Sequence, residues 1–393
     1  MKTAIISIAA IIILVTSAAC ISIMQKSSGP VPGAQNIEAY RKMITGKSIA
    51  VLANQTSMVD DSHLVDKLLS EGMDIKVIFA PEHGFRDLAD AGDTIKDGRD
   101  PVTGLKIISL YGNHVKPTPG DLSGIDVVIF DIQDVGTRFY TYISTLHYLL
   151  EACAENNVRC IVLDRPNPNG FYVDGNIIDT AYRSFVGLDP IPVVHGMTVG
   201  EYALMLNGEG WLKNRVKCDL EVVRCTRYTH DTYYTLPVKP SPNLPNQNSI
   251  YLYPSLCFFE GTNISVGRGT SFPFQVFGSP VLPHTGFSFT PQSTTGAKNP
   301  PFLGMECFGT DLRNALQERI VPSPAINLRW VIDTYRNYPD KKNFFTSYFD
   351  VLAGGPILRE QIISGMSADE IRDTWKDDLA AFKKIRSKYL LYK

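Results

Sequence analysis

Phe79-Ala80-Pro81-Glu82-His83-Gly84-Phe85-Arg86 marks the point where a buried strand gives way to a polar turn. The run that leads into it, Ile75-Lys76-Val77-Ile78-Phe79-Ala80, is short and apolar, as a strand inside a sheet is. Pro81 brings no amide to a ladder, and Gly84 permits a sharp turn. A carboxylic acid, an imidazole and a guanidinium therefore gather at the C-terminal end of a strand, where open α/β sheets bind ligands. The same residues would equally serve as a structural turn, with Glu82 capping a helix and Arg86 paired to it.

Working outward, strands and helices alternate. Apolar runs at 49–53, 106–110, 127–132 and 160–163 read as further strands. Residues 63–70 and 142–156 have helical spacing, with Ile143, Leu146, Leu150 and Cys153 along one side of the second. Continuous Ile and Val strands separated by helices indicate an α/β fold with a mainly parallel sheet covered on both faces. In such a sheet all strand ends share one edge. That edge collects Asn54, Gln55 and Thr56; Glu82, His83 and Arg86; Tyr111 and His114; Asp131, Gln133, Asp134 and Arg138; and Asp164, Arg165 and Asn167. Ionisable and amide groups after five successive strands point to a site rather than to five unrelated loops. No G-x-G-x-x-G follows the first strand and no G-x-x-x-x-G-K-[ST] occurs, which argues against a bound dinucleotide or nucleotide.

Thr198 and Glu201 form a capping box that opens a helix, so Glu201, and His195 before it, read as structural. Residues 219–224 alternate like a strand. Pro237, Pro240, Pro242 and Pro245 then mark a boundary, giving an N-terminal domain over 46–245 and a smaller α+β domain over 246–393. Residues 251–259 are aromatic and strand-like, and run into a Gly-rich loop that carries Glu260, Asn263 and Arg268. Helices are expected over 328–335, after a capping box at Ser367, and over 379–389.

Residues 1–20 read as a secretory signal: Lys2, an apolar run, then Ser17-Ala18-Ala19-Cys20. Small residues before Cys20 resemble a lipoprotein cleavage site, with 21–45 as tether and lead-in. The expectation is an exported protein, periplasmic or held at a bacterial membrane by lipid on Cys20. A formal net charge of −2 without a basic run disfavours nucleic acid as a partner. The cysteines after Cys20 lack metal-ligand spacing and read as buried small residues, with one or two disulfides open to them.

Several motifs together resemble one family. They are Pro81-Glu82-His83-Gly84, the run Phe130-Asp131-Ile132-Gln133-Asp134-Val135-Gly136-Thr137-Arg138-Phe139-Tyr140-Thr141-Tyr142, Leu163-Asp164-Arg165-Pro166-Asn167-Pro168, His195-Gly196-Met197-Thr198, Pro240-Ser241-Pro242-Asn243, Phe259-Glu260-Gly261-Thr262-Asn263 and Tyr389-Leu390-Leu391-Tyr392. From about residue 46 onward the chain resembles the exo-β-N-acetylmuramidases, glycoside hydrolases formerly grouped as a domain of unknown function. The resemblance implies a Rossmann-like N-terminal domain, a smaller C-terminal domain and an active-site cleft between them. It implies release of terminal N-acetylmuramic acid from saccharides of the muramyl–glucosaminyl type, without metal or redox cofactor. Asp87 stands where the family has glycine and Asp93 where it has glutamate.

Hydrolysis of a glycosidic bond needs two groups, usually carboxyls, flanking that bond. Glu82 is expected to be the general acid, Glu260 its partner across the cleft, and Asp131 the further member of the catalytic set. Asp131 and Asp134 would orient sugar hydroxyls, neighbouring amides or a water. Arg138 and Arg268 lead as cations for the lactyl carboxylate, with His83 and Arg165 behind them. Asn54, Arg86, Asp93, Tyr111, Gln133, Tyr142, Asp164, Asn167, Asn243 and Asn263 complete the expected substrate contacts. A lipid-anchored protein that binds cell-wall sugars without cleaving them is the alternative.

Overall fold

The computed structural model describes residues 29–86, 97–284, 286–315 and 323–393. The signal, Cys20, the tether up to residue 28, and Asp87 and Asp93 lie outside the described residues.

The central sheet has seven strands: β1 (Ser48–Ala53), β2 (Asp74–Ala80), β3 (Gly98–Arg99), β4 (Lys106–Ser109), β5 (Val127–Asp131), β6 (Arg159–Leu163) and β7 (Leu220–Val223). Their spatial order is β3-β4-β2-β1-β5-β6-β7, and only the short β3 runs antiparallel to its neighbour. Setting β3 aside, this is the strand order of the Rossmann sheet. The strands expected in the first half are all present, with ends moved by about one residue. Ala50, Leu52, Val128, Phe130, Cys160 and Val162 face one core, while Ile49, Val51, Ala53, Ile129, Ile161 and Leu163 face another. Side chains alternate across a strand, so apolar residues at both parities require cover on both faces. Helices α1 (Ile37–Ile44) and α2 (Leu64–Ser70) cover one face; α3 (Tyr142–Glu155) and α4 (Val199–Glu209) cover the other. Thr198 and Glu201 form the reciprocal capping box that starts α4.

Residues 251–259 are not a strand. Helix α5 spans Gln247–Leu256 and passes into a 3₁₀ turn, Cys257–Gly261. The start is set by Asn246, whose side chain accepts from Ser249 N in a second capping box. Pro254 lies inside the helix and brings no N–H to the Ile250 carbonyl. Asn169 Nδ2 donates to that carbonyl at 3.3 Å, so a side chain from the first half supplies the missing donor. Aromatic content suggested a strand here; the cap and this long-range bond outweigh it. Helices α6 (Arg329–Asn337), α7 (Ser347–Ala353) and α8 (Lys376–Arg386), two short helices at Ile357–Ile363 and Ala368–Asp373, the latter opened by the Ser367 capping box, and a small antiparallel sheet complete the second half.

One hydrophobic core runs from Leu146 of α3 through Phe258 to Phe349 of α7. The C-terminal segment also returns to the main sheet, where Tyr392 Oη donates to Asp164 Oδ2 at 2.5 Å. The six cysteines among the described residues are buried free thiols.

Asp131, expected among the catalytic carboxyls, is fully buried at the end of β5. It accepts from Arg165 Nε and Nη2 at 2.6 and 2.8 Å. The pair fastens β5 to β6 and leaves neither group for substrate. Removing one partner strands a buried charge, so Asp131→Asn should cost about 3–5 kcal/mol in denaturant unfolding with an unchanged m-value. A loss under about 1 kcal/mol, the range of an exposed pair, would contradict this assignment.

Candidate active site

β2 ends at Ala80, and the chain turns with Gly84 N donating to the Pro81 carbonyl at 3.0 Å. His83 takes φ +71° and Gly84 φ +90°. A left-handed histidine is uncommon, and strained backbone of this kind gathers at functional sites. The turn delivers Glu82 and His83 to a cavity of about 610 Å³. Thr141 Oγ1, at the entry to α3, donates to Glu82 Oε2 at 2.7 Å. Burial, and then the charge of Glu82, pushes the Tyr142 hydroxyl above its ordinary pKa. Tyr142 Oη in turn donates to the Pro240 carbonyl at 3.3 Å, which ties this wall to the proline-rich segment.

The facing wall comes from the second half. The 3₁₀ turn after α5 carries Glu260, and a Cβ on Gly261 would meet the Phe349 backbone at 2.3 Å, so only glycine lets α7 pack this closely. Arg268 Nε donates to Glu260 Oε1 at 2.6 Å, with the guanidinium 5.1 Å from the Phe274 ring centre. Burial opposes the charge on Arg268, but the adjacent Glu260 carboxylate outweighs it and holds the arginine above its usual pKa. Tyr348 projects from α7 into the cavity. Burial raises the pKa of its hydroxyl, and the charges of Cys257, Glu260 and Glu82 raise it further. A single ring thus feels the carboxyls of both walls.

Of the expected site residues, the cavity is lined by Glu82, His83, Tyr111, Tyr142, Asn243, Glu260 and Arg268. The others are engaged elsewhere. Arg138 is 1% exposed and donates to four carbonyls, those of Asn176, Ile191, Leu352 and Ala353, at 2.7–3.1 Å; it is no carboxylate receptor. Arg86 bridges Asp66 and Asp100. Asp164 accepts from Thr198, Gly200 N and Tyr392. Arg165 serves Asp131. Asn54 accepts from Thr56, and Gln133 donates to the carbonyls of Asp134 and Pro166. Asn167 holds the Met197 carbonyl and Asn263 that of Asn343. Asp134 is buried, with Gly136 N donating to its Oδ2 at 2.6 Å. Asp93 lies outside the described residues.

Sequence reasoning missed Thr141, Phe185, Lys298 and Tyr348, all of which line the cavity. Thr141 stood inside a motif already singled out; Phe185 and Tyr348 belong to none of those motifs and reach the cavity only through tertiary packing. Among the described residues no group of three or more His, Cys, Asp or Glu is placed to hold a metal ion.

Carboxyls on two facing walls of a polar and aromatic cavity, at the carboxyl edge of a doubly covered sheet, are the equipment of a glycoside hydrolase. The chain belongs to the NamZ exo-β-N-acetylmuramidase family, whose N-terminal and C-terminal parts match residues 49–248 and 251–392. It is 38% identical over 372 residues to the peptidoglycan β-N-acetylmuramidase NamZ of Bacillus subtilis strain 168, covering 90% of this chain and 89% of that one. Two crystal structures of DUF1343-family proteins from Bacteroides fragilis NCTC 9343 share the fold. One is 48% identical with a TM-score of 0.86, the other 30% with 0.80, and each match covers 93% of this chain and 99% of the other.

Asp134 lends itself to a pH test. Burial pushes its carboxyl up to about 7, against the pull of the Gly136 and Val135 amides. His195 lies 3.9 Å away, but burial lowers its pKa to about 3, so it brings no charge. A carboxyl whose pKa rises on folding contributes stability that is fully present below its unfolded value, near 4, and lost as pH rises through about 7. Wild type should therefore lose stability relative to Asp134→Asn between those values, with a flat difference above. Thermal melts at stepped pH that keep a constant difference would refute the shift.

Proposed function

We propose that this chain is an exo-acting β-N-acetylmuramidase that removes terminal N-acetylmuramic acid from peptidoglycan fragments. The observation that carries the reading is that Glu82 from the first half and Glu260 from the second both line one cavity, in a chain of this family. Roles follow from the neighbours of each carboxyl. Glu260 stands in an ion pair with Arg268, which suits the member that acts as a carboxylate. The Thr141 hydroxyl donates to Oε2 of Glu82, and the turn that bears the family motif Pro81-Glu82-His83-Gly84 delivers this residue to the cavity, which suits the general acid. Glu82 gives its proton to the glycosidic oxygen as the bond to the anomeric carbon breaks, and a water supplies the oxygen that replaces it on that carbon, its spare proton passing to a carboxylate of the site. Glu260 faces the positive charge that develops on the sugar.

Arg268 holds the lactyl carboxylate. Its Nε is taken by Glu260, and the outer edge of the guanidinium offers the paired donors that a carboxylate prefers. The other arginine considered for this task, Arg138, is spent on carbonyls.

Glu82→Gln keeps shape and removes the proton source. Turnover of a muramyl disaccharide, read as release of free sugar, should fall roughly 10²–10⁴-fold while the fold persists. The loss should shrink with an activated phenol as leaving group, which needs less protonation. Near wild-type release would exclude Glu82 as the acid, and release of no sugar by wild type would leave binding as the activity. Arg268→Ala should penalise muramyl substrates more than matching glycosides without the lactyl group; equal penalties would remove that assignment.

A further inference from the structure

The sheet register places Tyr111 beside Glu82. Ala80 of β2 pairs with Ser109 of β4, and Leu110 N donates to the Ala80 carbonyl at 2.8 Å, so the residues that follow emerge side by side. The opposite flank of β2 is β1. On that flank Gln55 Nε2 and Tyr142 Oη both donate to the Pro240 carbonyl, anchoring the segment that brings Ser241 and Asn243 into the cavity. Glu82 thus stands between a wall built by Tyr111 and the segment that carries Ser241 and Asn243, which Asn243 Nδ2 ties to the Gly296 carbonyl of the second half at 2.7 Å.

Behind Tyr111 lies a braced aromatic surface. The Phe185 ring is 6.0 Å from Tyr111 at an interplanar angle of 58°, and Tyr148 stacks on Phe185 at 6.4 Å and 10°. Phe185 and Val186 form the tip of a tight turn closed by reciprocal backbone bonds of 3.0 Å between Ser184 and Gly187. Both tip residues and Tyr111 are half-buried and line the cavity. Aromatic rings braced in this way at a cavity wall can pack against the flat C–H face of a pyranose.

A general acid protonates the oxygen shared by two sugars, so it must stand between the ring that is kept and the ring that leaves. If the muramyl carboxylate lies toward Arg268, the leaving ring falls on the other side of Glu82. We propose that Tyr111 and Phe185 form the seat of the leaving sugar, a pyranose of the N-acetylhexosamine class. This rests on the muramidase reading above and adds the half of the substrate that the reading leaves unplaced.

The test compares a muramyl–N-acetylglucosamine disaccharide with muramyl fluoride, whose leaving group is too small to reach the seat. Phe185→Ala should lower kcat/KM on the disaccharide about tenfold and leave the fluoride within about twofold. Phe185→Leu keeps apolar bulk in the turn while removing the flat face; it should show the same split with an unchanged melting temperature. Tyr111→Leu should behave alike, and inhibition by free N-acetylglucosamine should weaken in step. Equal losses on both substrates, or no loss on the disaccharide, would overturn the seat. A wild-type enzyme that releases muramic acid from neither substrate would remove the reading beneath it, and the seat with it.

Discussion

A single buried guanidinium links the two walls of the cavity. Arg138 enters from the loop before α3 and donates to the carbonyls of Leu352 and Ala353, the last residues of α7. Those carbonyls have no partner within the helix, and the helix end carries partial negative charge, so a cation is the fitting cap. Its other bonds, to Asn176 and Ile191, hold the first half. Helix α7 packs on Gly261 and so positions Glu260, and it carries Tyr348 into the cavity. The placement of Glu260 relative to Glu82 thus depends in part on an arginine that is not among the residues lining the cavity.

The Rossmann strand order would place a ligand where the order reverses, between the carboxyl ends of β1 and β5. Here that crevice is filled from within. Asn54 Oδ1 accepts from Thr56, Thr56 Oγ1 accepts from Gln133 N at 3.0 Å, and Arg165 lies across Asp131. The open space is displaced toward β2 and β4, where Glu82 and Tyr111 emerge. That groove is occupied by amide hydrogen bonds and an ion pair, and no glycine-rich phosphate loop follows β1 in the sequence.

Much of the fold was legible because strands covered on both faces must be apolar at every position, which runs such as Val127-Val128-Ile129-Phe130 declare directly. The edge where polar groups collect was legible for the same reason. Which of those groups meet substrate was not. Asp131 pairs with Arg165 thirty-four positions away, and Arg86 with Asp66 twenty positions back; no local pattern announces either. Arginine and aspartate look alike in sequence whether they bind a ligand or each other. Residues 251–259 were misread because the donor that lets a helix contain Pro254 belongs to Asn169, eighty-one positions from Ile250.

The bond between Tyr392 and Asp164 spans 228 residues of chain. At roughly 5–20 residues per second, a ribosome needs tens of seconds to travel from one to the other. For that interval the carboxylate at the end of β6 lacks one of its four side-chain and backbone donors, and helix α8 is not yet there to cover the neighbouring loop. The sheet is thus drawn early and closed late. The surroundings of that carboxylate are complete only once the C-terminal segment is in place.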